Sequence, residues 1–376
     1  MDRALYSVET PCYVVDEKRL IENLEILRDI ANRAGCKILL AQKAFSMYAV
    51  YPLIGRYLDG TTASGLFEAK LGFEEMGKET HVFSAAYNER EFDEIVKICD
   101  HISFNSFAQW QKYKEKALAA GKSCGIRINP QHSTQEHGIY DPCAEGSRLG
   151  VTRENFQPEL LDGMEGLHFH TLCEQNSDAL IETLAAVEEK FGEFLPQMKW
   201  VNFGGGHHIT RENYDREALI DCIQHFKEKY SVEVYLEPGE AVALNAGYLV
   251  ASVLDIVHNG MDVALLDASA ACHMPDVIEM PYRPPLWQSG EPEEKPYTYR
   301  LAGATCLAGD VIGDYSFEQA LSIGDKLIFE DMAIYSMVKN NTFNGMCLPS
   351  IALLQENGEI KTIRQFGYAD FKERLS

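Results

Sequence analysis

Long apolar runs, paired cysteines and a surplus of basic residues are all missing from this chain, and each absence narrows what it can be. No apolar stretch approaches the ~18 residues that a membrane span needs, so a soluble protein with no membrane partner is expected. The segment Met1 to Pro11 carries Asp2, Arg3 and Glu9 and no apolar core, which is not the pattern of a secretory leader. The ten cysteines, at positions 12, 36, 99, 124, 143, 173, 222, 272, 306 and 347, form no CxxC pair and no metal-type spacing; this usage points to a reducing, cytoplasmic compartment. Lys+Arg number 34 against 57 Asp+Glu, a net charge of −23. A chain so acidic repels phosphate backbones, which excludes nucleic acid as the expected partner. The same field draws in cationic ligands, although acidity is also a common route to solubility. There is no internal repeat and no low-complexity tract.

What is present is ordinary globular material: 46% hydrophobic and 24% charged residues over 376 positions, enough for two domains or one large barrel with an addition. Eight β-like runs alternate with amphipathic stretches: Lys37–Ala44, Gly60–Ser64, His81–Ala85, His101–Asn105, Cys124–Asn129, Gly166–Thr171, Trp200–Gly204 and Val232–Glu237. Between them lie helix-like segments such as Gly65–Gly77, Glu89–Asp100 and Ser177–Leu195, with apolar residues at three- and four-residue spacing. Eight strands with intervening helices predict an α/β fold of the (β/α)8 TIM type, with an extra helix, Glu17–Ala34, before the first strand. From about Ala246 the texture changes to strand-like pieces with turn signals, among them Asn357-Gly358. The expected organisation is a barrel over 13–245 and a C-terminal β-sandwich or barrel domain over 246–376 that also takes in residues 1–12. The long connections Pro130–Gly146 and Met274–Pro296 fall where a pocket would be lined.

In such a barrel the active site lies at the C-terminal ends of the strands, so polar residues there carry the functional signal. Lys43, in LLAQKAF, reads as a Schiff-base former, since a desolvated amine attacks carbonyls readily; alone, a lysine there more often snorkels to the rim. His170 ends HFHT with His168 on the same side, and with His207 and His208 nearby a metal cluster is the lesser reading, because no carboxylate joins them at familiar spacing. Gly204, Gly205 and Gly206 leave main-chain N–H groups for an anion. Glu237, in YLEPGE, can hold a pyridinium N–H. Lysine, stacking histidine, phosphate glycines and pyridinium partner, in this order, make a complete cofactor constellation.

With these strings the chain resembles the pyridoxal-phosphate enzymes of the alanine racemase fold, in the branch that holds the diaminopimelate, ornithine and arginine decarboxylases. The resemblance runs from TPCYVVD (Thr10–Asp16) to TFNG (Thr342–Gly345). QKAFS, GLHFHTLCE, NFGGGHH, YLEPGEAVA, CHMPDVIEMPYRPPL and TCLAGD are most similar to the carboxynorspermidine/carboxyspermidine decarboxylases of that branch. It implies pyridoxal 5'-phosphate bound to Lys43, His170 stacked on its ring, Gly204 to Gly206 at its phosphate and Glu237 at its ring nitrogen. It further implies Cys306 as proton donor with Asp310 close behind, Tyr335 reaching the phosphate, and a homodimer in which the cysteine segment enters the neighbouring site. Related amino-acid decarboxylases have EPGR where this chain has EPGE, so Glu240 replaces an arginine that serves an anionic group and would attract an ammonium instead. With Asp276 and Asp310 it is expected to bind a carboxylated polyamine. The rivals are a diaminopimelate decarboxylase, which wants the absent arginine; an amino-acid racemase, whose pyridinium partner is usually arginine; and a non-catalytic cofactor carrier, which would lack the β domain.

Overall fold

The first strand of the chain, β1 (Cys12–Asp16), does not join the barrel. In the computed structural model, which describes residues 3–135 and 138–376, the chain divides into two units: Asn23–Val242, and Met1–Glu22 with Ala243–Ser376. Met1, Asp2, Glu136 and His137, which fall in the N-terminal segment and the Pro130–Gly146 connection discussed above, lie outside the described residues.

The first of these units is a closed barrel of eight strands, β2 (Lys37–Ala41), β3 (Gly60–Ala63), β4 (Glu79–Phe83), β5 (His101–Phe104), β6 (Ser123–Arg127), β7 (Gly166–His168), β8 (Trp200–Asn202) and β9 (Glu233–Leu236). Every neighbouring pair is parallel, and β9 closes on β2. Intervening helices start on side-chain caps that satisfy otherwise orphaned N–H groups: Asn88 accepts from Arg90 N at 3.1 Å, Ser106 from Gln109 N at 3.2 Å and Asp215 from Ala218 N at 3.0 Å. Their apolar faces, such as Phe92, Ile95 and Val96, are buried.

At the N-terminal ends of its strands the barrel is plugged by rings. Trp200 opens β8, and its indole lies across β6 and β7, where Gly125 and Gly166 pair in register. A Cβ on Gly166 would stand 2.1 Å from Trp200 Cδ2, and one on Gly125 2.4 Å from Cη2; the two adjacent glycines are the space the indole occupies. Trp200 Nε1 donates to Ser123 Oγ at 2.8 Å. His101 stacks on Trp200 at 5.0 Å between ring centroids and on His81 at 4.0 Å. Lys37 closes this end, donating to Glu79 Oε1 at 2.5 Å and to the Tyr235 hydroxyl at 3.2 Å.

The other unit is built on one mixed sheet in the order β13-β12-β11-β10-β1-β15-β16, with β14 also paired to β10. Its members after the barrel are β10 (Gly247–His258), β11 (Asp262–Leu266), β12 (Tyr297–Ala302), β13 (Val311–Phe317), β14 (Lys326–Glu330), β15 (Ser350–Leu354) and β16 (Ile360–Arg364). β1 was expected to belong to the barrel segment; it pairs antiparallel with β10 and parallel with β15, because its apolar CYVV run is covered on both faces here. The long strand β10 alternates, sending Leu249, Ala251 and Val253 into one core and Tyr248 and Val250 into another. No helix among the described residues is long and apolar enough to cross a membrane.

Gly166→Ala forces a methyl into the indole and should destabilise the barrel by about 1–3 kcal/mol. The urea midpoint should fall, and adding Trp200→Leu should recover part of the loss. Equal, additive losses in the single and double variants would show that the indole is not what the glycine accommodates.

Candidate active site

Side chains with chemistry gather just beyond the opposite, C-terminal strand ends. The structure ends β2 at Ala41, earlier than the expected Lys37–Ala44, and Lys43 sits in the turn that follows, closed by Ala44 N–H to Ala41 O at 3.1 Å. Fully buried Gln42 pins that turn, donating to Glu68 O at 2.8 Å and accepting from the Tyr51 hydroxyl at 3.0 Å. His170 likewise lies two residues past β7, Gly204 two past β8 and Glu237 one past β9. Each residue leaves the sheet ladder just where its side chain is needed, which the sequence runs had overextended by one to three positions.

Lys43, His170, Gly205 and Glu237 line one pocket, together with Thr62, Phe83, Arg127 and His168. The Lys43 side chain is open to the pocket space yet enclosed by protein around it; that enclosure, and then the nearby Arg127 guanidinium, push its pKa down. The result is an amine more readily deprotonated than a surface lysine. Burial, then Lys43 and Arg127, holds His170 well below 6.5. Its Nδ1 accepts the Gly205 N–H at 2.7 Å, so the ring is a neutral tautomer carrying its proton on Nε2. Burial alone would push Glu237 up, but the His168 imidazole, the Asn202 amide and the Thr62 hydroxyl outweigh it and hold the carboxyl below its ordinary range.

The glycine turn differs from expectation in one respect. Gly204 N–H donates to Asn202 Oδ1 at 2.8 Å and Gly205 N–H to His170 Nδ1. Of the three, only the Gly206 N–H has no internal acceptor among the described residues, so an anion here would meet the turn from Gly206 onward. The turn still needs glycine: Gly204 and Gly206 have φ of +71° and +82°, and a Cβ on Gly205 would come within 2.5 Å of Glu237 O and 3.3 Å of His170 Cε1. A lowered-pKa amine, a neutral imidazole facing the pocket, an ionised carboxylate and a crowded glycine turn are the donor set that pyridoxal phosphate requires.

Three contributors were missed from sequence. Arg127 ends β6 and is 5% exposed; its guanidinium lies 4.5 Å from the centre of the Phe83 ring and donates to His170 O at 3.1 Å. An arginine inside the apolar run CGIRIN was the available signal. Asn202 and Thr62, both contacting Glu237, had none. Glu240 opens the short helix Glu240–Ala243, three residues beyond Glu237.

The remaining candidates belong to the sheet unit. Cys306 is exposed, its N–H held by Asn344 Oδ1 at 2.6 Å. Asp310, expected to bind substrate, is 3% exposed and already committed: it accepts from Ser269 Oγ at 2.9 Å to each oxygen, from Ala271 N at 3.2 Å, and from Thr305 N and Oγ1 at 3.3 and 2.6 Å. It fixes the loop that carries Cys306. Asp276 and Glu279 both accept from the Lys339 ammonium. Tyr335 has φ 52° and ψ −48°, a backbone cost of about 1–3 kcal/mol that side chains accept mainly at functional sites.

Metal-type donors come together elsewhere, at Glu79, His81 and His101, within 4.8 Å of one another. There the two imidazoles stack face to face and Glu79 is paired with Lys37, so the cluster reads as ring packing and ion pairing.

Barrel, sheet and pocket define a pyridoxal-phosphate enzyme, and comparison with known proteins gives the family. The pyridoxal-dependent decarboxylase family, in the description "Pyridoxal-dependent decarboxylase, C-terminal sheet domain", matches residues 12–333. The chain belongs to this family and is a carboxy-lyase that uses pyridoxal phosphate. A carboxynorspermidine/carboxyspermidine decarboxylase of Campylobacter jejuni is 45% identical, over 98% of this chain and 98% of its own. A carboxyaminopropylagmatine decarboxylase of Synechocystis is 41% identical over 99% and 96%. The crystal structure of the Campylobacter jejuni carboxynorspermidine decarboxylase, complexed with norspermidine, superimposes with a TM-score of 0.92 at 44% identity, over 98% of this chain and 100% of that one. Diaminopimelate decarboxylases match at 22–25% identity.

Burial lowers His168, His207, His208 and His273 from 6.5 to about 4, and His101 to about 3. Between about pH 6.5 and about pH 4 the unfolded chain therefore binds protons that the folded chain does not, and stability should fall as the pH is lowered through that window. Glu237, with its folded pKa depressed, loses stabilisation in the same direction at the acid end. Urea midpoints measured across the window should decline steadily; a flat profile would contradict the buried neutral imidazoles.

Proposed function

We propose that this decarboxylase acts on carboxynorspermidine and carboxyspermidine, releasing CO2 and leaving norspermidine or spermidine in polyamine biosynthesis. The observation that carries the reading is the 45% identity over 98% of the chain to an enzyme of that name. Glu240, standing where amino-acid decarboxylases carry an arginine, supports it from the residues.

When bound, pyridoxal phosphate supplies an electron sink for the pair left behind by CO2. Lys43 would hold it through the amine that burial and Arg127 make nucleophilic. His170 would offer it a neutral ring face, and Glu237 would hold a proton on its ring nitrogen. The N–H of Gly206 would meet its phosphate, and the resemblance to the family adds Tyr335 as a phosphate partner. The resemblance to the family gives Glu240 and Asp276 as the carboxylates that would receive ammonium groups of the substrate tail, Asp276 in exchange with Lys339. By the resemblance the Cys306 thiol would give its proton to Cα where the carboxylate has left, so that each turnover consumes one proton and releases one CO2. The resemblance to the family and the exposure of Cys306 and Leu307 support a homodimer in which Cys306 of one copy serves the site of the other. The ten free cysteines support a cytoplasmic setting.

Carboxyaminopropylagmatine, whose tail ends in a guanidinium, is the second reading, favoured by the relative at 41% identity. CO2 release from each substrate separates them. Carboxynorspermidine and carboxyspermidine should both turn over, their preference within the about 10–200-fold that one methylene allows. Diaminopimelate and ornithine should be poor. Glu240→Arg should raise KM for carboxynorspermidine about 10–100-fold, the cost of replacing an attractive charge by a repulsive one. Unchanged KM would remove Glu240 from the tail site, and faster turnover of carboxyaminopropylagmatine than of either polyamine would replace the substrate assignment.

A further inference from the structure

Glu237, Gly204 and Asn202 close a ring of three hydrogen bonds under the pocket. Glu237 N–H donates to Gly204 O at 2.8 Å, Gly204 N–H donates to Asn202 Oδ1 at 2.8 Å, and Asn202 Nδ2 donates to Glu237 Oε1 at 2.7 Å. Asn202, the last residue of β8, is 2% exposed. The backbone donor at Gly204 fixes which amide atom faces which partner: Oδ1 must meet the N–H, and Nδ2 must then meet the carboxylate. The next residue, Gly205, holds the His170 ring through Nδ1.

We propose that Asn202 is a positioning residue for the decarboxylation, its amide locking the Glu237 carboxylate to the glycine turn so that ring-nitrogen partner, stacking imidazole and phosphate turn form one rigid cradle. The inference rests on the reading that Glu237 faces the ring nitrogen. Its chemical content is the requirement for a carboxamide. A leucine could fill the volume but would leave two buried polar groups unpaired. An aspartate has the shape but no donor; it would set a second carboxylate against Glu237, and one of the two would take up a proton. A protonated Glu237 no longer stabilises a proton on the ring nitrogen, and the electron sink weakens. His168, with Nε2 at 3.7 Å from Glu237 Oε2 and no hydrogen-bond partner among the described residues, does not replace the amide.

The test uses the full chain reconstituted with pyridoxal phosphate isotopically labelled at its ring nitrogen, with NMR of that nitrogen reading its protonation and titration of the cofactor-free protein reading affinity. In the unaltered protein the nitrogen should be protonated. Glu237→Gln should move the resonance to the unprotonated position. Asn202→Asp should move it the same way and weaken cofactor binding about 10–100-fold, the usual range for a partner that orients a ligand. Its kcat should fall while KM for carboxynorspermidine holds. Asn202→Ala removes both amide contacts without adding charge and should weaken cofactor binding and shift the resonance in the same direction. Asn202→Ala with the unaltered resonance and affinity, while Glu237→Gln shifts the resonance, overturns the inference alone. An unshifted Glu237→Gln overturns the placement of Glu237 and the inference with it.

Discussion

A carboxylate that must stay ionised inside a barrel sets the terms for everything around it. Burial raises the cost of the charge on Glu237 by several kcal/mol unless its lone pairs are used, and the neighbouring strands deliver the partners: the Asn202 amide from β8 and the Thr62 hydroxyl from β3, with the His168 ring of β7 beside them at 3.7 Å. These are residues at or near the ends of different strands, and only a closed barrel brings them to one point. The same closure brings Lys43, Arg127 and His170 to that rim. Arg127 serves twice, depressing the lysine by its charge and tying down the His170 backbone.

The two ends of the barrel divide the work. At the N-terminal end the interior is filled by Trp200, His101 and His81, with Gly125 and Gly166 shaped around the indole and Lys37 paired to Glu79. In this plug His81 and Lys37 both meet Glu79, and His101 is stacked between His81 and Trp200. At the C-terminal end the strands stop short, and the side chains with chemistry stand one or two residues past the last ladder bond. In the sheet unit Asp310 is a buried carboxylate that meets several donors at once and holds the loop bearing Cys306.

Much of this was readable in the sequence. The eight-fold alternation of short apolar runs with amphipathic segments is a global signal, and it identifies the barrel. Lys43, His170 and Glu237 stand out because a polar residue ending an apolar run costs free energy that a structural role rarely repays. Strand ends were not readable, since KILLAQKA continues apolar through a turn that only Gln42 and its two hydrogen bonds define. β1 was assigned to the wrong unit because a short apolar run does not say which sheet will pair it. Asn202 and Thr62 carry no mark in sequence, their importance being only in what they touch. Asp310 is the opposite case: its motif position marks it in sequence as a ligand, and only the fold shows the five internal hydrogen bonds that already occupy it.

The central claim is that the pocket at the strand ends is a pyridoxal-phosphate site anchored on Lys43. Borohydride reduction of the cofactor-loaded protein, followed by peptide mapping, tests it most directly. The account requires the reduced cofactor on the peptide QKAFS, at Lys43. Label on any other lysine, or none in a protein that carries the cofactor, would contradict it.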